Sequence, residues 1–128
     1  MEIIECHSVF IGNDSGPAYI SSYLRVPTFI IFGPTNPTFH VPYGKYHESI
    51  QKNIWCTPVG NEKFCYTDGG KRGCASFECM KQLTIEEVKI KLLKFLEMLE
   101  IPAIVSARPS LFMLGNGFAF SKTEYGFT

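Results

Sequence analysis

Between Val9 and Thr35 two short apolar runs enclose a helix-start signal, and their spacing leaves few folds open to the chain. The first run, Ser8-Val9-Phe10-Ile11-Gly12, is β-branched and aromatic and too short for a helix, so it is predicted to be a buried strand. Polar Asn13-Asp14-Ser15 stops it. Asp14 and Ser15 are N-cap types, and Pro17 suits a first helical turn because the amide proton it lacks would be unpaired there, so a helix should begin near Gly16. Ala18, Tyr19, Ile20, Tyr23 and Leu24 supply its apolar face, and Arg25-Val26-Pro27 closes it before a second strand, Thr28 to Phe32. A crossover of that length favours parallel pairing, and two continuously apolar strands fit a sheet covered by helices on both faces.

In such a unit the helix N-terminus and the carboxyl end of the strand open on one crevice, where backbone amides and the helix dipole favour an anion. Gly16 lets a ligand approach the backbone, and Ser15 can give one hydrogen bond. Asp14 repels a phosphate, but its carboxylate can accept hydrogen bonds from hydroxyls of a sugar or ribose. Asp-Ser-Gly-Pro is equally an ordinary turn and cap, and both readings stand at this level. A serine-protease nucleophile is excluded, because the surrounding pattern is α/β and only thirteen residues precede the motif. Gly12 lies three residues before Ser15 rather than two, so no nucleophile elbow is formed either.

The ordered set Ile11-Gly12-Asn13-Asp14-Ser15-Gly16-Pro17-Ala18-Tyr19-Ile20, Val26-Pro27-Thr28, Phe32-Gly33-Pro34-Thr35-Asn36-Pro37, Cys79-Met80 and Thr84-Ile85-Glu86-Glu87-Val88 resembles the C-terminal domain of glycosyltransferase family 9, the heptosyltransferases. The resemblance covers residues 3 to 100. It implies a partial Rossmann-like parallel sheet, a fragment of the C-terminal half of a GT-B type glycosyltransferase. It further implies an ADP-sugar such as ADP-heptose as donor, and a lipopolysaccharide core or related glycan as acceptor. Asp14, Ser15, Gly16 and Tyr19, with Gly33, Pro34 and Thr35 in the neighbouring loop, are the donor-binding residues it implies. Tyr19 stands where the family usually has histidine, and a tyrosine carries no positive charge near neutral pH. The family works without a metal cofactor, in line with the lack of an Asp-x-Asp motif. A cytoplasmic location is implied, with peripheral attachment at the inner membrane face left open.

At 128 residues the chain is one domain at most, whereas the family uses two. The acceptor domain and its general base are therefore expected elsewhere, no catalytic residue is assigned to this chain, and a truncated or split gene product is expected. Two clear parallel strands also leave a sheet edge that needs a neighbour. Residues 1–102 are predicted to form the partial nucleotide-sugar-binding domain. Residues 103–128 fall outside the family pattern, and Leu111 to Phe120 can turn as a hairpin about Asn116-Gly117.

Twelve basic and twelve acidic residues cancel, which gives no charge-based case for nucleic acid or an anionic membrane. No apolar run is long enough to span a bilayer. His7, His40 and His47 show no metal spacing, and the stretch from Phe39 to His47 reads as a surface loop with an aromatic anchor, or as a cover for a base or sugar. Cys56, Cys65, Cys74 and Cys79 form a second constellation, in which a structural zinc is conceivable but the tight C-x-x-C knuckle of such sites is missing. An inert or variably oxidised cluster is the preferred expectation. A non-catalytic interaction module organised by these cysteines is the alternative to a donor domain. Finally, Thr84 to Glu100 is the clearest helix. Thr84 and Glu87 make a capping box, Ile85, Val88, Leu92, Leu96 and Leu99 form an apolar stripe, Lys89, Lys91 and Lys94 face solvent, and Pro102 ends the helix.

Overall fold

The computed structural model describes residues 4, 7–41, 46–65, 74–99, 111–114 and 117–121. Strand β1 (His7–Asn13), helix α1 (Gly16–Tyr23) and strand β2 (Thr28–Phe32) form the expected unit, with β1 and β2 parallel and Phe10 opposite Thr28. A short helix α2 (Pro37–His40) then leads to β3 (His47–Gln51), which pairs parallel to β2 with Phe29 opposite Glu48. After α3 (Glu78–Lys81) and α4 (Ile85–Met98), strands β4 (Leu111–Leu114) and β5 (Gly117–Ser121) pair antiparallel. The sheet order is β3-β2-β1-β5-β4, so three parallel strands carry an antiparallel hairpin on the far side of β1.

Side-chain alternation along β1 and β2 builds a core on each face. Phe10, Ile30 and Phe32 point to one side and pack with Ala18 of α1 and Val26. Val9, Ile11 and Phe29 point to the other and meet Phe95 and Leu96 of α4, with the Phe29 and Phe95 ring centroids 6.0 Å apart. Phe10, Phe29 and Phe32 are fully buried, each contributing about 1.5–3 kcal/mol of transfer free energy. This is a three-layer α/β arrangement.

The hydroxyls buried between α1 and β2 are satisfied internally. Ser21 Oγ and Thr28 Oγ1 lie 2.8 Å apart, and Thr28 donates to the Val26 carbonyl at 2.8 Å. Helix α1 ends as Arg25 takes a left-handed conformation (φ 59°), which turns the chain into Val26-Pro27 and β2.

Several expectations need correction. Parallel β3 adds a third strand to the two read from sequence; His-Glu-Ser-Ile-Gln lacks an apolar run because an edge strand buries its residues only partly. His47 is therefore a strand residue and His40 a helical one, whereas 42–45 of that supposed loop lie outside the described residues. On α1 the buried positions are Ala18 and Ser21, and Tyr23 is 84% exposed. Helix α4 ends at Met98, before Pro102. Its inward face is made by Val88, Leu92, Phe95 and Leu96, while Ile85 is 84% exposed. Lys91 is not simply solvated, because its Nζ lies 3.5 Å from Glu48 on β3. The capping box is present in both directions, with Thr84 Oγ1 accepting from the Glu87 amide and Glu87 Oε2 accepting from the Thr84 amide.

Within the stretch expected to turn as a hairpin, β4 and β5 pair antiparallel while residues 115–116 lie outside the described residues, and β5 lies along the edge of β1. The remainder of 103–128, Cys6 and residues 66–73 lie outside the described residues. No helix among the described residues is long and apolar enough to cross a membrane.

Candidate functional site

Asp14 follows the last residue of β1, and Thr35 lies just beyond β2, so parallel pairing sets both at the carboxyl edge of the sheet. Thr35 Oγ1 donates to Asp14 Oδ2 at 2.8 Å, and the Tyr19 hydroxyl, one turn into α1, lies 3.1 Å from Asp14 Oδ1. Each carboxylate oxygen thus has one protein donor and keeps a lone pair for another. The same hydroxyl lies 2.9 Å from the His40 carbonyl and 3.3 Å from His40 Nδ1, so a single proton is shared among close acceptors. Partial burial and then the Asp14 charge push the Tyr19 phenol up to about 12, which keeps it neutral and donating.

His40 Nδ1 is 3.9 Å from Asp14 Oδ2. Its Nε2 is buried without a hydrogen-bond partner among the described residues, and the ring tilts against Phe64 at 6.1 Å. His40 belongs to this corner, which sequence reading missed, because its approach depends on the turn of α2 rather than on any local pattern.

The N-terminus of α1 has no side-chain cap. Ser15 is extended (φ −158°, ψ 166°), and its hydroxyl donates backward to the Asn13 carbonyl at 3.2 Å instead of forward into the helix. Gly16 is exposed, and a Cβ placed on it would meet nothing within 4 Å. Backbone amide, open space and helix dipole thus sit immediately beside the Asp14 carboxylate.

Loop 33–36 is held from two directions. Gln51 Nε2 donates to the carbonyls of Gly33 (2.8 Å) and Thr35 (2.7 Å). Buried Asn36 caps α2 through Thr38 N and reaches with Nδ2 to the carbonyls of Gly60 (3.2 Å) and Glu62 (2.7 Å). Neither anchor was assigned from sequence. Both fix where Thr35 stands, and so the aim of Asp14.

Of the residues singled out from sequence, Asp14, Ser15, Gly16, Tyr19 and Thr35 converge. Gly33 and Pro34 do not, for they line a separate pocket of about 130 Å³ with Cys56, Cys65, Cys74 and Cys79. A Cβ on Gly33 would come 3.2 Å from Met80 Sδ and 3.8 Å from Cys79 Sγ. The four cysteines are thiols, each half-buried. Burial first, then the proximity of Cys56, offset in part by the Met80 amide and supplemented by Cys65 and Cys74, pushes the Cys79 thiol up.

The model of glycosyltransferase family 9 (heptosyltransferase) matches residues 1–66, the span that carries β1, α1, β2, α2, β3 and loop 33–36. The chain belongs to glycosyltransferase family 9. Among curated relatives, lipooligosaccharide heptosyltransferase 2 of Campylobacter jejuni subsp. jejuni serotype O:6 is 35% identical over 86 residues, covering 63% of this chain and 25% of the relative. Lipopolysaccharide heptosyltransferase 1 of Pseudomonas aeruginosa is 35% identical over 48 residues, covering 38% of this chain and 14% of the relative. The chain thus spans about a quarter of the length of the first of these relatives. No solved structure matches it.

Proposed function

We propose that this chain is the donor-holding portion of a glycosyltransferase that uses a nucleotide-activated sugar, an ADP-sugar such as ADP-heptose. The observation that carries this reading is the Asp14 carboxylate, oriented by Thr35 and Tyr19 at the strand ends, beside the uncapped start of α1. The two features divide the labour: the Gly16 end of the helix suits a diphosphate, and the remaining lone pairs of Asp14 suit sugar or ribose hydroxyls.

In the reaction, the bond between the anomeric carbon and the diphosphate oxygen breaks as a bond to an acceptor hydroxyl oxygen forms. Negative charge grows on the departing diphosphate, where preorganised amide and hydroxyl donors stabilise it most. The acceptor proton passes to a general base on the acceptor-binding side. That side, and the base with it, would come from the portion of the relatives that this chain does not span. The names of the relatives support a lipopolysaccharide or lipooligosaccharide core as the acceptor. Donor binding by these groups needs no metal, so added magnesium should leave ADP affinity unchanged.

Calorimetric titration of the folded chain with ADP and ADP-heptose tests this. Saturable binding is expected, weakened about tenfold or more in Asp14→Ala, which corresponds to roughly 1.4 kcal/mol. Absence of binding by folded protein, or equal binding by Asp14→Ala, would overturn the proposal.

A further inference from the structure

Cys56, Cys65, Cys74 and Cys79 come from four different places: the turn after β3, the residue after the Thr35–Phe64 bridge, the stretch leading to α3, and α3 itself. All four nonetheless line one small pocket against Gly33 and Met80. Among the described residues no continuous apolar core draws them there. Of the described residues from 52 to 80 only Pro58 is buried, and the regular structure consists of one isolated bridge and one four-residue helix. Loop-rich segments of this kind, with four cysteines and little core, are held by cross-links or by a metal ion.

We propose that Cys56, Cys65, Cys74 and Cys79 form a structural zinc site that holds their loops together beside Gly33 and Pro34. Four thiolates satisfy the tetrahedral, closed coordination of structural zinc, and the divalent cation offsets the charge that the thiolates would bring together on closing around it. As they stand, no three described His, Cys, Asp or Glu side chains form a ready-made metal cluster, so coordination completes only as the loops draw in around the ion. Each ligand releases its thiol proton on binding. The site is independent of the donor reading, because it uses none of Asp14, Ser15, Gly16, Tyr19 or Thr35.

The experiment is a zinc titration of the full chain, prepared reduced and metal-free, with stoichiometry by metal analysis and thiol accessibility by alkylation and peptide mapping. One zinc per chain is expected, with four of the five cysteines protected and Cys6 still modified. Protection should slow alkylation of those four by about tenfold or more. Cobalt in place of zinc should give the visible absorption of tetrahedral cobalt and thiolate charge-transfer bands. Cys56→Ser and Cys79→Ser should each lower the affinity, while Cys6→Ser leaves it unchanged. Should the serine variants fail to fold, alkylation of the intact chain still decides the question. Substoichiometric zinc, protection of Cys6 in place of one of the four, bound iron, or two disulfides formed in place of coordination would each overturn the proposal.

Discussion

Replacing Tyr19 by phenylalanine removes one oxygen atom from the corner around Asp14 and leaves the ring in place. Below pH 10 the loss is a hydrogen bond to a carboxylate. Such bonds contribute about 1.5–3 kcal/mol when shielded, and exposure of Tyr19 lowers the expected cost to about 1 kcal/mol. Tyr19 as a whole is 41% exposed, which is why the lower figure applies. The sign of the pH dependence follows from the raised phenol. A folded value of about 12 against an ordinary 10.0 means that the unfolded chain ionises first, so stability present below 10 is lost as pH rises towards 12. Converted without screening, that difference is roughly 2.7 kcal/mol; discounted for exposure it is about 1 kcal/mol, similar to the hydrogen bond removed. Urea unfolding of wild type and Tyr19→Phe across this range should therefore show a difference of about 1 kcal/mol below pH 10 that vanishes near 12. Every other side chain is common to both proteins, so the comparison isolates the Tyr19 hydroxyl. A difference that stays flat with pH, or is absent at neutral pH, would refute the shared-proton account of Tyr19. The same substitution should weaken ADP-sugar binding about fivefold.

Thr35→Val keeps the volume but removes the donor 2.8 Å from Asp14; calorimetry should show several-fold weaker ADP binding, with stability changed by only about 1 kcal/mol. Phe29→Ala empties a fully buried site against Phe95; a loss of about 3–5 kcal/mol should lower the melting temperature in a calorimetric scan by roughly 10 °C or more. The Lys52 ammonium, followed by the Thr84 amide and hydroxyl, holds the Glu87 carboxyl down at about 2 against an ordinary 4.5. Its contribution is therefore present above 4.5 and lost as pH falls towards 2. Circular dichroism of wild type should show α4 weakening across that window, and Glu87→Gln should lack the step.

The β1-α1-β2 unit was legible because its signals are local: continuous apolar runs, a polar stop and a proline in the first helical turn. The capping box of α4 was legible for the same reason, since Thr84 and Glu87 are three residues apart. What escaped depends on distance along the chain. Strand β3 carries Glu48, Ser49 and Gln51 because it lies at the sheet edge, where half-burial relaxes the apolar pattern. His40 reaches Tyr19 and Asp14 across more than twenty positions, and Asn36 reaches Gly60 and Glu62 in the same way. The cysteines share one pocket without a tight knuckle because loop packing, not spacing, brings them together. Asp14 itself was read as a free acceptor for ligand hydroxyls; in the fold the protein's own Thr35 and Tyr19 already take part of that capacity.

The antiparallel strand on the far side of β1 also sets the order of events during folding. Phe10 finds Thr28 across a short stretch of chain, whereas Val9 must find Phe120 at almost the opposite end of the sequence. Closing the longer loop costs about 1.6 kcal/mol more in chain entropy, and such non-local pairing is slow. The β4–β5 pairing is local, but its docking on β1 comes late. During synthesis β1 emerges before β5 and waits with one edge unsatisfied until residues 117–121 are made. Over that interval it is open to strands of other molecules.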